Sequence, residues 1–444
     1  MTLNIATAEL ADAWPCTVDL PENHGAKRDG TTDDTAAIKA AISNAVSVAQ
    51  ANGTNYAEVW LSAGVYFVSV ALDTSQLGRA QIPLPQVAST AQKFVLVLRC
   101  PSAAAPFPHW QQTSVQKAGA TILTNLNASF DSGLGAASVI GGPTVQQLGS
   151  TDGGFSNMLV VIDGLSVVSN YTDPLHVGVD LQCIAECNIP SMAFSGNIVP
   201  GSFTTFPSAG GVALRMPQVG NNDNCEVGTL SIEGYANGLI PGEHTHVSRA
   251  GIVYCGSGVW FQGGQFDVAR IDYLSTEACQ DHLSTAGTVV SGSEMCQLDI
   301  GTWDIEDGTG SGASTRYHVN DANNYLTGGC LGVRRNNGSG AGAASDGKTG
   351  PGLPPIVNGS ARAKWANGAQ APGAVAAPAV PATTAALTNP FWRDAAVTVG
   401  GSGLTGVQVD GESMSVVPGT YVVPSGKAIT LTYIETPSWS WILL

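Results

Sequence analysis

A mainly β chain wound as a parallel solenoid is what this sequence predicts, on three observations. Short strands of one pattern, apolar-small-x-apolar-polar-apolar, recur between about Met158 and Asn320. One amphipathic helix precedes them, set between a glycine-punctuated loop and a pair of apolar strands. Charge is scarce: 12% of the 444 residues are charged, about half the usual share, while 54 are glycine. That mixture suits many tight turns and stacked small polar residues, and 43% apolar residues can build a core.

Residues 1–22 form a short leading segment in which Pro15 and Pro21 argue against a long helix. From Asn23 the chain reads as a cap and first coil, ending at Val68. Gly25 and Gly30 mark a loop. Asp33 is the expected N-cap, with Asp34 in the first helical turn, where the helix dipole favours negative charge. Ile38, Ala41, Ile42, Ala45 and Ala49 then trace one apolar stripe, and Gly53 stops the helix. Val59-Trp60-Leu61 and Val65-Tyr66-Phe67-Val68 are strand material around the Ser62-Ala63-Gly64 turn.

The run Gly25-Ala26-Lys27-Arg28-Asp29-Gly30-Thr31-Thr32-Asp33-Asp34-Thr35-Ala36-Ala37-Ile38, followed by strand, glycine turn and strand, resembles the N-terminal segment of the pectate-lyase-like superfamily. That family includes polygalacturonase-like hydrolases, lyases and many phage tailspikes. The resemblance implies a right-handed single-stranded parallel β-helix whose open end the helix covers. It implies little about chemistry, because the segment is a lid.

The repeat supports the same fold independently. Val227–Glu233, Val268–Tyr273 and Ile300–Glu306 share one pattern, with Ile162–Val167 an earlier cousin. Taking Leu230, Ile271 and Trp303 as equivalent gives steps of 41 and 32 residues. A second series, Gly178–Leu181, Gly211–Leu214 and Gly251–Tyr254, steps by 33 and 40. The β-helix is thus expected over residues 23–330, with loops of uneven length.

Residues 331–388 turn to Gly, Ala and Pro and read as a linker. Strand signals return over 389–444, with turns at Asp410-Gly411 and Gly400–Gly403, predicting a small β-sandwich-like module. Its pattern of turns and aromatics, from Asn389-Pro390-Phe391 through Val416–Thr420 to Trp439-Ser440-Trp441, resembles the C-terminal module of minor tail proteins of actinobacterial phages.

Composition narrows the function classes. Thirty-four acids against 18 bases, a net charge of −16, leave no basic face for nucleic acid and count against a polyanionic glycan. No apolar run has the length of a membrane span, and residues 1–15 lack the charge and hydrophobicity of a secretory signal. Nine cysteines, odd in number and spread out, read as reduced buried thiols made in a cytoplasm. Cys183-x-x-x-Cys187 has no partner pair at zinc spacing.

The Asn-x-Asp, Asp-Asp, Gly-His-Gly and Arg-Ile-Lys motifs of family hydrolases are missing from the coils: Asp33-Asp34 lies in the cap, and Arg270-Ile271-Asp272 has an acid where the family carries a base. In the repeat register, Asp272 and Asp304 share one outward column flanked by Glu233 and Glu306. Coils stacked about 4.8 Å apart would bring two carboxylates near the separation used by retaining glycosidases. The plainer reading is that strands must place something polar outside. His244 and His246, at i and i+2, would share a strand face and ligate a metal around a threefold axis, but the preceding Pro241-Gly242 turn favours surface histidines. Trp392, Trp439 and Trp441 are either a glycan-stacking tip or the core of the C-terminal module.

These readings converge on a phage tail-associated protein, tailspike or minor tail protein, attaching to a host cell-surface glycan as a homotrimer beside other tail proteins in the virion. A glycan-degrading hydrolase or lyase and a purely structural virion component are the alternatives. No cofactor and no membrane insertion are expected.

Overall fold

The computed structural model describes residues 17–69, 80–88, 91–101, 119–126, 137–143, 155–196, 206–208, 210–218, 224–242, 244–261, 268–284, 297–306, 317–321, 331–336, 357–359, 373–375, 377–389, 394–415, 417–424 and 426–444. The N-terminal elements are β1 (Thr17–Asp19), a 3-10 turn (Pro21–His24), β2 (Asp29–Asp33), α1 (Thr35–Ala51), β3 (Tyr56–Trp60) and β4 (Gly64–Val68). The coils continue with β5 (Ala80–Pro83), β6 (Phe94–Arg99), β7 (Ala120–Thr124), β8 (Ser138–Gly141), β9 (Ser156–Ser169), β10 (Val177–Asp180), β11 (Ile184–Gly196) and β12 (Val212–Arg215). Then come β13 (Cys225–Glu233), β14 (Asn237–Ile240), β15 (Thr245–Val253), β16 (Ser257–Trp260), β17 (Val268–Glu277), β18 (Asp281–Ser284), β19 (Gln297–Glu306), β20 (Tyr317–Asp321), β21 (Leu331–Asn336) and β22 (Val357–Gly359).

Two parallel sheets carry these strands. The larger stacks β1, β3, β6, β9, β11, β13, β15, β17, β19 and β21, with β2, β4 and β7 beside it; the smaller stacks β5, β8 and the even strands from β10 to β22. Parallel neighbours that alternate between two sheets describe a right-handed parallel β-helix. The long strand β9 pairs with β6 through its first half and with β7 through its second, bending at Gly164, whose φ of 70° suits glycine. Parallel pairing runs on through β21 and β22, inside the stretch expected to be linker, and β1 of the leading segment pairs with β3.

The core is built from inward columns. Val227, Val247, Ile271 and Ile300 form one; Leu230, Ala250, Leu274 and Trp303 form the next, all buried. Each large side chain removed from water there contributes about 1.5–3 kcal/mol. This register corrects the sequence frame: Ile271 is equivalent to Val227 and Ile300, not to Leu230 and Trp303. A coil of only 24 residues, β15 with β16, lies between the two that the sequence pattern paired, and Ala250 hides it at the position of Leu230. Gly251–Val253 likewise belongs to the larger sheet, opposite Ser231–Glu233, rather than to the second series.

Short turns connect the two sheets after β13, β15 and β17. Gly234, Tyr254 and Ala278 open these turns with φ of 74°, 53° and 47°. Tyr235, Cys255 and Cys279 follow, pointing inward and fully buried. Backbone bonds stack one turn on the next, Gly256 N to Tyr235 O and Gln280 N to Cys255 O.

The cap motif is a set of carboxylate staples. Asp29 accepts from Thr31 N and Thr32 N; Asp33 accepts from Thr35 N and Thr35 Oγ1. Asp34, 1% exposed, accepts from Lys27 N at 2.6 Å and Arg28 N at 3.0 Å. The helix therefore begins one residue later than the sequence suggests: Asp34 occupies the N-cap position with its side chain turned back to the loop, and Asp33 caps from outside. Ile38, Ala41, Ile42, Ala45 and Ala49 are buried as the stripe requires.

The C-terminal elements are β23 (Gly373–Val375), β24 (Ala386–Thr388), β25 (Ala395–Gly400), β26 (Leu404–Val409), β27 (Glu412–Ser413), β28 (Gly419–Val423), β29 (Ala428–Tyr433) and β30 (Ser438–Leu443). They form two four-stranded antiparallel sheets, β23-β30-β25-β28 and β24-β29-β26-β27. Val397, Val407, Val423, Ile429, Leu431 and Trp441 fill a core separate from that of the β-helix.

Candidate functional site

Every strand of the larger sheet must place polar residues outside, and the register aligns them into rows. One row runs Trp60, Arg99, Asp163, Ser191, Thr229, Arg249, Tyr273, Thr302. A neighbouring row ends Glu226, His246, Arg270, Asp299. On β13, β15 and β17 the two rows meet at a corner of the coil, where two successive residues face outward: Ser248 with Arg249, and Asp272 with Tyr273. The corner is why charged side chains from three coils reach one another.

His246 sits at its centre. Its Nδ1 lies 2.9 Å from Glu226 Oε2 and its Nε2 2.9 Å from Asp272 Oδ2. Arg270 Nε donates to the other oxygen of Asp272 at 2.7 Å. The hydrogen bonds to Asp272 and Glu226 raise the His246 pKa above its ordinary value. With a carboxylate on each ring nitrogen, the imidazolium donates twice and has no lone pair to act as a base. Bonds from Arg270 and His246 in turn hold the Asp272 carboxyl below the usual carboxylate range. Beside this clamp the Arg249 guanidinium lies over the Tyr273 ring, 5.2 Å from its centroid, and the Tyr273 hydroxyl is 3.5 Å from Asp304 Oδ2.

The predicted residues therefore separate. Asp272 and Asp304 do not share a column: Asp272 falls opposite Gly301, where a Cβ would meet the Asp272 carbonyl at 2.7 Å, and Asp304 falls opposite Ser275. Glu233 is buried at the end of β13 and accepts from Ser195 Oγ at 2.5 Å, away from Asp272. Glu306 pairs with Glu277 at the end of β19, and its side chain lies outside the described residues. His246 is on β15, but His244 precedes the strand with φ of 51°, so strand alternation does not put the two on one face. Among the described residues no group of three or more His, Cys, Asp or Glu is placed to hold a metal.

Trp441 is fully buried in the C-terminal core and has no ring face to offer a sugar. Trp439 packs edge-on against it at 5.3 Å and donates Nε1–H to Pro378 O at 2.8 Å. Trp392 lies outside the described residues. Six described cysteines are buried free thiols, and burial pushes Cys183 up to about 12.

Sequence reasoning found Asp272, Asp304 and His246 but missed Glu226, Arg249, Arg270 as a partner of Asp272, and Tyr273. The signal was present in the chain as alternating charge at the outward positions of Val227- and Ile271-type strands, legible only in the right register.

Residues 22–81 match the family model described as rhamnogalacturonase A/epimerase, pectate lyase-like. The match covers the cap and first coil. No curated protein matches the chain. Two solved structures overlay weakly. ORF18 of Geobacillus virus E2 gives a TM-score of 0.32 at 11% identity, covering 74% of this chain, which spans 63% of that one. The tailspike protein of Acinetobacter baumannii phage AM24 gives 0.31 at 12% identity, over 96% of this chain and 73% of that one. Among the described residues no helix is long and apolar enough to cross a membrane.

Proposed function

We propose that this chain is a phage tail-associated protein that attaches to a host cell-surface glycan through the Glu226–His246–Asp272–Tyr273 corner of its β-helix. The observation that carries the binding reading is the state of Asp272. A retaining or inverting glycosidase needs two facing carboxyls, one protonated as the acid and the other ionised and free to act as nucleophile or base. Both oxygens of Asp272 are instead taken up by Arg270 and His246, and Asp304 is not stacked on it. What remains is a rigid outer surface of hydrogen-bonding groups beside an aromatic ring, which suits recognition of sugar hydroxyls and ring faces. The tail assignment is supported by the cap motif and by the C-terminal pattern that resembles phage minor tail proteins. A homotrimer, other tail proteins as neighbours and a place in the virion belong to the same proposal.

The test is an array of purified bacterial capsular, O-antigen and cell-wall polysaccharides probed with the full chain, followed by product analysis. Binding without release of reducing ends, weakened in Tyr273→Ala and Arg249→Ala, is the expected result. Release of reducing ends that vanishes in Asp272→Asn would replace attachment by hydrolysis. Light scattering checks the trimer, and a monomer would remove it.

A further inference from the structure

At the cap end of the row that reaches Tyr273 stands a second aromatic–guanidinium pair. Arg99 lies over the Trp60 ring, 5.2 Å from its centroid, as Arg249 lies over Tyr273. The pair is held from beneath. Glu58, 5% exposed, accepts from the Trp60 indole N–H and the Tyr56 hydroxyl, and its other partner is Arg99 Nη2 at 2.9 Å. A buried carboxylate on the outer side of a sheet costs several kcal/mol unless its partners are fixed. Here three partners fix it, and the result is a half-buried indole and a guanidinium with little freedom left to lose on binding a ligand.

Between the two pairs the row carries only Asp163, Ser191 and Thr229. All three are short, and Ser191 Oγ donates to Asp163 at 2.9 Å. Six strand-to-strand steps separate Trp60 from Tyr273, which at about 4.8 Å each is roughly 29 Å.

We infer that Trp60 and Arg99, braced by Glu58, form a second ligand platform, and that the occupant of both platforms is one linear oligosaccharide lying along the row. This rests on the glycan reading above. The bracing is the argument against a purely structural cluster: the core beneath β3 is already closed by Ala57, Val59 and Leu61, all buried, and needs nothing from Trp60. A ligand confined to the Tyr273 corner would gain nothing from length. One that spans both platforms would bind more tightly as it grows, until it reaches Trp60.

The probe is the polysaccharide that binds best on the array, cut by mild acid into size-graded fragments and titrated by calorimetry. In the wild type, affinity should rise with fragment length and then level off. Trp60→Ala should abolish that rise, leaving long fragments about tenfold weaker than on the wild type, the loss expected for one ring contact. Trp60→Phe should keep most of it. If Trp60→Ala fails to fold, Arg99→Gln tests the same platform. Affinity independent of length, or a length dependence untouched by both variants, would overturn the second platform while leaving attachment at the Tyr273 corner standing. Binding by no polysaccharide would overturn both.

Discussion

His246 Nε2 lies 2.9 Å from Asp272 Oδ2, although the two residues belong to successive coils. That contact, with Glu226 on the opposite ring nitrogen, ties β13, β15 and β17 together on the outside, where the core columns tie them inside.

The first prediction follows from that clamp. The His246 imidazole should titrate above its ordinary value near 6.5, followed by NMR. Because the folded pKa is raised, whatever stability the clamp adds is fully present below the unfolded pKa and is lost as pH rises through the folded one. Asp272→Asn should bring the midpoint down. Asp304→Asn should leave it in place, because Asp304 faces Ser275. Equal shifts in both variants would refute the register assigned to the corner.

His176 predicts a pH effect of opposite sign. The ring is fully buried, donates from Nδ1 to Leu126 O at 2.8 Å, and packs edge-on to Tyr235. The bond to a carbonyl requires Nδ1–H, so Nδ1 donates. Burial lowers its pKa to about 4. The unfolded chain then binds a proton that the folded one does not between about pH 6.5 and 4, so stability falls as pH drops through that window, by roughly 3 kcal/mol in all. In His176→Phe this portion of the acid loss should disappear from urea unfolding measured at pH 7, 5.5 and 4.5. The lowered carboxyls of Asp19 and Asp33 act at lower pH, below their unfolded value near 3.8, and do not mask it.

The cap and the β-helix class were legible because both leave dense local signals: an Asp-rich turn chemistry, a 3.6-residue stripe, and short apolar strands in series. Register was not. The corner places two successive residues outward, as at Asp272 and Tyr273, so counting by twos slips there, and Ala250 conceals a whole coil behind a small side chain. That slip joined Asp272 to Asp304 and left Glu226 and Arg249 unseen. Trp441 was ambiguous for a different reason: an aromatic at an alternate strand position serves a core or a surface equally well until the second sheet is in place over it.

Asp34 yields a stability prediction independent of the corner. Its carboxylate is the partner of two backbone N–H groups, of Lys27 and Arg28, and is itself buried. Asp34→Ala leaves both donors unmet and should cost about 2–4 kcal/mol. Asp34→Asn keeps one acceptor oxygen and should cost less. Hydrogen exchange should show the loss first in α1 and the 25–33 loop, ahead of the later coils, because these are the segments that the Asp34 carboxylate ties together. Uniform exchange along the solenoid would mean that the cap and coils unfold as one unit.

The last prediction separates core from ligand surface in the C-terminal module. Trp441 is fully buried in one core with Val397, Val423 and Leu431, and the Trp439 ring packs edge-on with it at 5.3 Å. Trp441→Ala should therefore cost about 3–5 kcal/mol, as for other buried aromatics, and abolish the near-ultraviolet dichroism of the module. A module of eight short strands has little stability in reserve, so this loss approaches its whole folding free energy. Trp439→Ala, which removes a half-buried ring and one bond to Pro378 O, should cost clearly less. If instead Trp441→Ala kept its dichroism and lost only polysaccharide binding on the array, the ring would be a contact residue and the packing described for β25, β28 and β30 would be wrong.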